Sequence, residues 1–190
     1  MMQIPAPFWS AAVAASATFL WNSSDKHADV TLSNGDKTCT ASAIWRMVRG
    51  TVAKASGKWY YECTFDTVAT WTTIGVATDT VALTDYVGRF ANEYGLGPEH
   101  TYELAGSTSH PQTIHAGEVG GVAIDIDAGK IWFASSNIWL SSGDPAAGTN
   151  PRYSSLPAAT WYPACAPGLQ SVTINQTLTY TPPSGFAQWA

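Results

Sequence analysis

A chain of 190 residues can bury a substantial core as one domain, and nothing in its length requires two. Charged side chains make up only 12% and the formal net charge is −5, so there is no electrostatic footprint for nucleic acid or for insertion at an anionic membrane. Nine Trp, 16 Gly and 11 Pro suit short strands joined by tight turns, with most Trp in a core and a share on a contact surface.

Residues 1–17, MMQIPAPFWSAAVAASA, are apolar and end in small residues, which imitates a secretory signal. They lack its basic n-region, carry Pro5 and Pro7, and are too short to span a bilayer. They are read as an N-terminal arm that packs along its own domain or docks on a partner subunit, which leaves 18–190 as a single domain.

In chain order, Asn22-Ser23-Ser24-Asp25 is a turn cluster. Val30-Thr31-Leu32 is a short strand closed by Asn34-Gly35, a strong hairpin signal, and residues 37–40 return antiparallel. Residues 44–52 alternate as a half-buried strand, and Ser56-Gly57 turns the chain into a strong strand, KWYYECTF, over 58–65. There Trp59, Tyr61, Cys63 and Phe65 share one face, and Lys58, Tyr60, Glu62 and Thr64 the other. WTTIGVA at 71–77 is a further strand, with Gly75 where two layers approach closely. Residues 79–89 are polar and mixed, 94–98 form a strand broken by glycines that residues 101–104 join, and 107–115 form a loop containing His110 and His115.

The stretch 117–133, GEVGGVAIDIDAGKIWF, organises the rest. Its first arm is nearly apolar on both faces, which marks a central strand, and Asp127-Ala128-Gly129-Lys130 reverses the chain. A hairpin buried on both sides needs a second layer, so the fold class is an all-β, two-layer antiparallel sandwich. Residues 135–157 form the longest irregular stretch, and loops of that length are usually functional or disordered. Residues 161–165 and 171–175 are the last strong strands, and 181–186 form a rigid tail. No helix of any length is visible.

The ordered series SGKWYYECTF (56–65), TIGVAT (73–78), YGLGP (94–98), GEVGGVAIDIDAGKIWFA (117–134), WYPACAP (161–167) and SVTINQ (171–176) resembles the SPRY domain. ADVTLSNGDKTCT (28–40) resembles the short segment that often precedes it. The resemblance covers roughly 19–186. It implies a bent, concanavalin A-like jelly-roll sandwich without catalytic residues, whose loops at one end bind a partner. NIWLSSGDPAAGTNP (137–151) is longer than its counterpart in the SPRY domains of signalling proteins. It is similar to that of SPRY domains from bacteriophage and prophage structural proteins. That likeness implies a virion component such as a tail, fibre or head-decoration subunit, soluble in the bacterial cytoplasm before assembly. It transfers none of the peptide-binding residues of animal SPRY domains.

Several constellations bear on chemistry. Asp125 and Asp127, two apart on a strand, project from one face and would hold Ca²⁺ with Asp144 or Asn150. Alternatively, Asp127 starts the turn and Asp125 accepts hydrogen bonds at the sheet surface. No Gly-x-Ser-x-Gly elbow occurs, no motif presents a thiolate, and His27, His100, His110 and His115 lack metal spacing. Cys39, Cys63 and Cys165 read as buried free thiols, with a Cys39–Cys63 bridge left to geometry. No catalytic residue, metal or cofactor is indicated.

What remains is a surface. Trp139, Tyr153, Tyr86 and His110 sit in predicted loops, where aromatic rings stack on sugars or anchor proteins, and Asp144, Asn150 and Arg152 supply directed hydrogen bonds. The expected function is non-enzymatic binding of a host-surface glycan, a protein receptor or another virion protein through residues 135–157 and their neighbours. One alternative is a structural homo-oligomer assembled through the arm and sheet edges. A more distant one is a carbohydrate-active enzyme with paired carboxylates.

Overall fold

The computed structural model describes residues 19–69, 71–103 and 106–190; the N-terminal arm at 1–17 lies outside the described residues. Two sheets face each other. The first contains, in spatial order, β1 (Trp21–Lys26), β4 (Val48–Gly50), β14 (Tyr162–Ala166), β6 (Thr73–Ala77), β7 (Glu93–Leu96), β8 (His100–Glu103) and β9 (Gly106–Ser109). The second contains β12 (Ile138–Trp139), β11 (Lys130–Ser135), β10 (Val119–Asp125), β5 (Lys58–Phe65), β15 (Ser171–Ile174), β3 (Thr38–Ala41) and β2 (Val30–Ser33). Short strands β13 (Tyr153–Ser154) and β16 (Ala187–Gln188) add to β11 and β5. All pairings are antiparallel except that of β16.

The central hairpin forms where the apolar run predicts it. β10 pairs with β11 from Gly120↔Ser135 to Asp125↔Lys130, and its other edge pairs with the whole of β5. Every residue of β10 is buried. Gly129, at φ +60°, closes the turn in the left-handed region, and a Cβ there would lie 2.8 Å from the Leu156 carbonyl oxygen.

Burial on both faces has a specific cause, because each sheet is covered outside as well as inside. Tyr61, Cys63, Phe65, Val122, Ile124 and Phe133 of the second sheet meet Trp21, Val48, Ile74, Val76, Leu96 and Cys165 of the first in the main core. A flap, residues 78–92, folds back over the outer face of the first sheet and packs Val81, Tyr86 and Val87 on Met47, Tyr102 and Ala164. The segment after β15 covers the outer face of the second sheet, where Phe186 and Leu178 lie on Tyr60, Ala123 and Trp132. It is tied down by the buried Glu62 carboxylate, which accepts from Tyr60 Oη (2.6 Å), Thr179 N (2.7 Å) and Tyr180 N (3.0 Å). Burial and that carboxylate push the Tyr60 phenol well above its usual range.

Five expectations need correction. The turn cluster at 22–25 lies inside β1, which pairs with β4 across an irregular register that accommodates its polar residues. The half-buried strand at 44–52 shrinks to β4, because Trp45 has a left-handed backbone (φ +61°) that no strand contains. Residues 107–115 are not all loop, since β9 pairs along β8. The tail does not end at a rigid turn: β16 follows it, and Trp189 is buried against Tyr61 with its Nε1 donating to the Val52 carbonyl at 2.9 Å. The close approach at Gly75 is to its own neighbour in the sheet, where a Cβ would sit 1.9 Å from the Tyr94 carbonyl oxygen. The three cysteines are free and buried. The nearest pair of sulfurs is Cys39–Cys165, in contact across the two sheets at 3.4 Å, rather than Cys39–Cys63.

Candidate functional site

Strand register sorts the connections by end. Val119 lies opposite Thr64, Leu96 opposite Ile74, Ala166 opposite Thr73 and Ser171 opposite Thr40. The β3–β4, β5–β6, β7–β8, β9–β10 and β14–β15 connections therefore share one end of the sandwich, and the β10–β11 turn lies at the other.

That shared end exposes apolar surface. Trp45 (39% exposed), Trp71 (37%) and Leu169 (57%) lie on three of its connections, and they are three of the five exposed large hydrophobic residues among those described. The Trp45 and Trp71 rings meet edge to face, 5.8 Å apart at 88°. Trp71 lies 5.9 Å from Tyr86 at 35°, and Tyr86 in turn packs on Tyr102 at 5.0 Å. Trp45, Trp71 and Tyr86, with Asp85 and Arg89 of the flap, line a cleft of about 130 Å³.

Each wall is fixed from behind. Trp45 is the one bulky residue among the described non-glycine residues with positive φ, the others being Asn, Asp or Ser. Its neighbour Arg46 donates from Nε to Asp29 Oδ2 at 2.7 Å and from Nη1 to the Trp45 carbonyl at 3.1 Å. Arg46 also holds the Asp29 carboxyl below its usual range. On the other side, buried Met47 donates its N–H to the Leu83 carbonyl at 3.0 Å and so joins Trp45 to the flap. Thr72, buried beside Trp71, donates its hydroxyl to the Pro167 carbonyl at 3.1 Å. The flap is anchored by Val87 N donating to Thr73 Oγ1 at 3.1 Å and by the Phe90 N–H donating to the Glu93 carboxylate. Burial pushes the Glu93 carboxyl up to about 7, against the backbone donors that lower it. Asp85 and Arg89 form a loose ion pair at 3.6 Å, with Arg89 the more exposed partner.

A wider hollow of about 410 Å³ lies on the other side of the β5–β6 connection, between Val68, Pro98, Glu99, His100, Ile114 and His115. The His115 N–H donates to Glu118 Oε2 at 2.8 Å, and His100 Nε2 is 3.2 Å from Ser109 Oγ. These contacts hold the hollow's rim.

The residues singled out from the sequence are divided among several places. Tyr86 lies in the aromatic cleft, almost wholly buried. His110 is buried near the wide hollow with Nε2 3.2 Å from the Gly97 carbonyl, and burial lowers its pKa. Trp139 lies on the outer face of the second sheet, half-buried, 6.1 Å from the Tyr60 ring. Arg152 reaches from the edge of the second sheet to the first, donating to Thr101 Oγ1 (2.6 Å), Ser141 Oγ (2.8 Å) and the Thr108 carbonyl (3.1 Å). Tyr153 donates to the same Thr101 oxygen at 3.0 Å and packs on Tyr94. Asp144 accepts from Ala147 N at 3.0 Å in a tight turn, and Asn150 donates to the Ser142 carbonyl at 3.1 Å. Segment 135–157 is thus a compact strap along the sheet edge, bound to itself and across the sandwich.

Asp125 accepts from Ala128 N at 2.9 Å and pairs with Lys58 Nζ at 3.0 Å, while Asp127 lies exposed in the turn beyond the strand. Neither carboxylate is brought to Asp144, and among the described residues no group of three acidic, His or Cys side chains is placed to hold a metal ion.

Sequence reasoning missed Trp45 and Trp71. Both stand in runs that alternate like strands, which hides a left-handed residue and an exposed ring. The one available signal was the excess of Trp over what the predicted core faces hold.

The architecture is that of a two-layer antiparallel β-sandwich of the jelly-roll kind, with its connections clustered at one end. More narrowly, the fold is that of the SPRY domain. The SPRY domain of human HERC1 is similar with a TM-score of 0.64 at 14% identity, covering 81% of this chain and 96% of that one. The TRIM65 PSpry domain gives 0.65 at 15% identity, covering 83% and 91%. Stonustoxin gives 0.64 at 16% identity over 83% of this chain, which spans 27% of the toxin chain. No protein-family model matches the chain, and no curated protein matches it.

Proposed function

We propose that this chain is a non-enzymatic recognition module that grips a glycan or protein partner at the β5–β6 end, with Trp45 and Trp71 as anchors. One observation carries this role: a Trp held in a left-handed backbone, which costs roughly 1–2 kcal/mol, with its ring exposed against a second exposed Trp. Folding alone gives no reason to retain that arrangement, whereas exposed, pre-oriented aromatic rings are what anchor binding. A non-enzymatic role is supported by the buried acids Glu62 and Asp125 being committed to structural contacts, Glu62 with its covering segment and Asp125 with its turn.

The finer placement, in a phage or prophage particle as a tail, fibre or head-decoration subunit, rests on the sequence resemblance of the central series and the long 137–151 segment. Its partners are then a host-surface glycan or receptor, or another virion protein. Self-assembly through a sheet edge is favoured by exposed Ile138 on edge strand β12.

Glycan arrays and purified envelope proteins, probed with the parent and with Trp71→Ala, test recognition. Loss of a specific signal at unchanged melting temperature supports it. A signal that survives Trp71→Ala but disappears in Trp139→Ala would move the site to the edge strap. Light scattering on the full chain tests the particle role, which needs a stable trimer or larger ring; a monomer that stays monomeric at high concentration would count against it.

A further inference from the structure

Resting on the recognition role proposed above, we infer that the cleft between Trp45, Trp71 and Tyr86 takes a compact organic cation, an alkylated ammonium group. Shape points this way first. Trp45 and Trp71 stand at 88° to each other, forming a corner, whereas a sugar ring stacks best on a single open aromatic face. A rounded cationic group that reaches an aromatic face in the cleft meets the negative side of that ring's quadrupole. The cleft, about 130 Å³, has room for one such head group and not for an enclosed chain of sugars or an extended peptide.

Charge points the same way. Asp85 lines the cleft beside the rings, and the chain carries a formal net charge of −5, which draws cations toward it. The Arg89 guanidinium sits at the rim of the cleft, 3.6 Å from Asp85, too long for a hydrogen bond and half exposed. Arg89 is thus a weakly held cation on the Asp85 carboxylate, with its guanidinium 5.9 Å from the centroid of the Phe90 ring, which lies outside the lining of the cleft. A ligand that enters displaces Arg89 from Asp85, so Arg89 competes with it.

The competition reverses the usual expectation for a surface arginine and makes the assignment testable. Trp fluorescence of the full chain is titrated with tetramethylammonium and choline, and with 3,3-dimethylbutan-1-ol as the neutral isostere of choline. The cations should bind roughly tenfold more tightly than the isostere, from the cation–π contribution. Arg89→Gln should tighten cation binding several-fold, and Asp85→Asn, which keeps the oxygen that accepts from Tyr86 N, should weaken it. O-Phosphocholine and Nε-trimethyl-lysine amide, titrated in parallel, separate a head group from a modified side chain as the source. Equal binding of choline and its isostere, weaker cation binding in Arg89→Gln, or no response to any cation would each overturn the assignment. Recognition itself stands or falls separately, on whether Trp71→Ala removes the array signal.

Discussion

The edge strap at 135–157 and the β5–β6 end of the sandwich are both irregular, and they use their residues in opposite ways. In the strap, Asn150 and Asp144 hydrogen-bond within the segment, Trp139 packs on Tyr60, and Arg152 crosses to Thr101 and Thr108 of the first sheet. At the other region shorter connections leave Trp45, Trp71 and Leu169 facing solvent. Loop length therefore does not identify a binding surface. A long segment has enough backbone to satisfy its own polar groups and become structural, whereas a short one held by buried neighbours must present outward whatever side chain it carries.

The contrast is broken most strongly through the base of the flap. Burial raises the Glu93 carboxyl from 4.5 to about 7, so the folded state binds its proton more tightly than the unfolded chain does. Its contribution to stability is greatest below pH 4.5, declines between 4.5 and about 7, and is flat above. The loss amounts to something on the order of 3 kcal/mol. Urea midpoints measured at acid and alkaline pH should differ less in Glu93→Gln than in the parent; an identical pH dependence would show that Glu93 is not the group whose burial links stability to pH.

Arg152→Ala removes three hydrogen bonds that fasten the strap and should cost about 2 kcal/mol in urea unfolding, with partner binding of the folded fraction unchanged. If binding were lost and stability kept, the roles of the two regions would be exchanged. Trp139→Ala, which uncovers Tyr60 and Trp132, should cost about 1–2 kcal/mol, less than a fully buried Trp, and should shift the melting temperature without touching the array signal.

The smallest effect on stability sharpens the contrast most. Asn tolerates the left-handed backbone at position 45, so relief of strain in Trp45→Asn offsets the lost ring contact to within about 1 kcal/mol. Binding should nevertheless fall by at least tenfold, as expected for an anchor side chain. A variant that binds normally would remove Trp45 from the site.

Much of the fold was legible in the sequence because sandwich strands declare themselves by period and turn chemistry. The run 117–133 specified its own hairpin, Asn34-Gly35 specified another, and the alternation of 58–65 divided β5 correctly between two environments. Order along the chain was then enough to resemble a known fold. What sequence could not determine was which neighbours cover each surface. Alternation reports that a residue is half-buried, but not whether the cover is the opposite sheet, a returning flap or a C-terminal segment. Trp45 stands between Ile44 and Arg46 and Trp139 between Ile138 and Leu140, and neither setting says which ring is covered. Only the tertiary structure, through the flap tied at Leu83 and the strap tied at Thr101, buried much of one ring and left the other in solvent. Exposure depends on contacts between residues far apart in the chain, and no local pattern encodes those contacts.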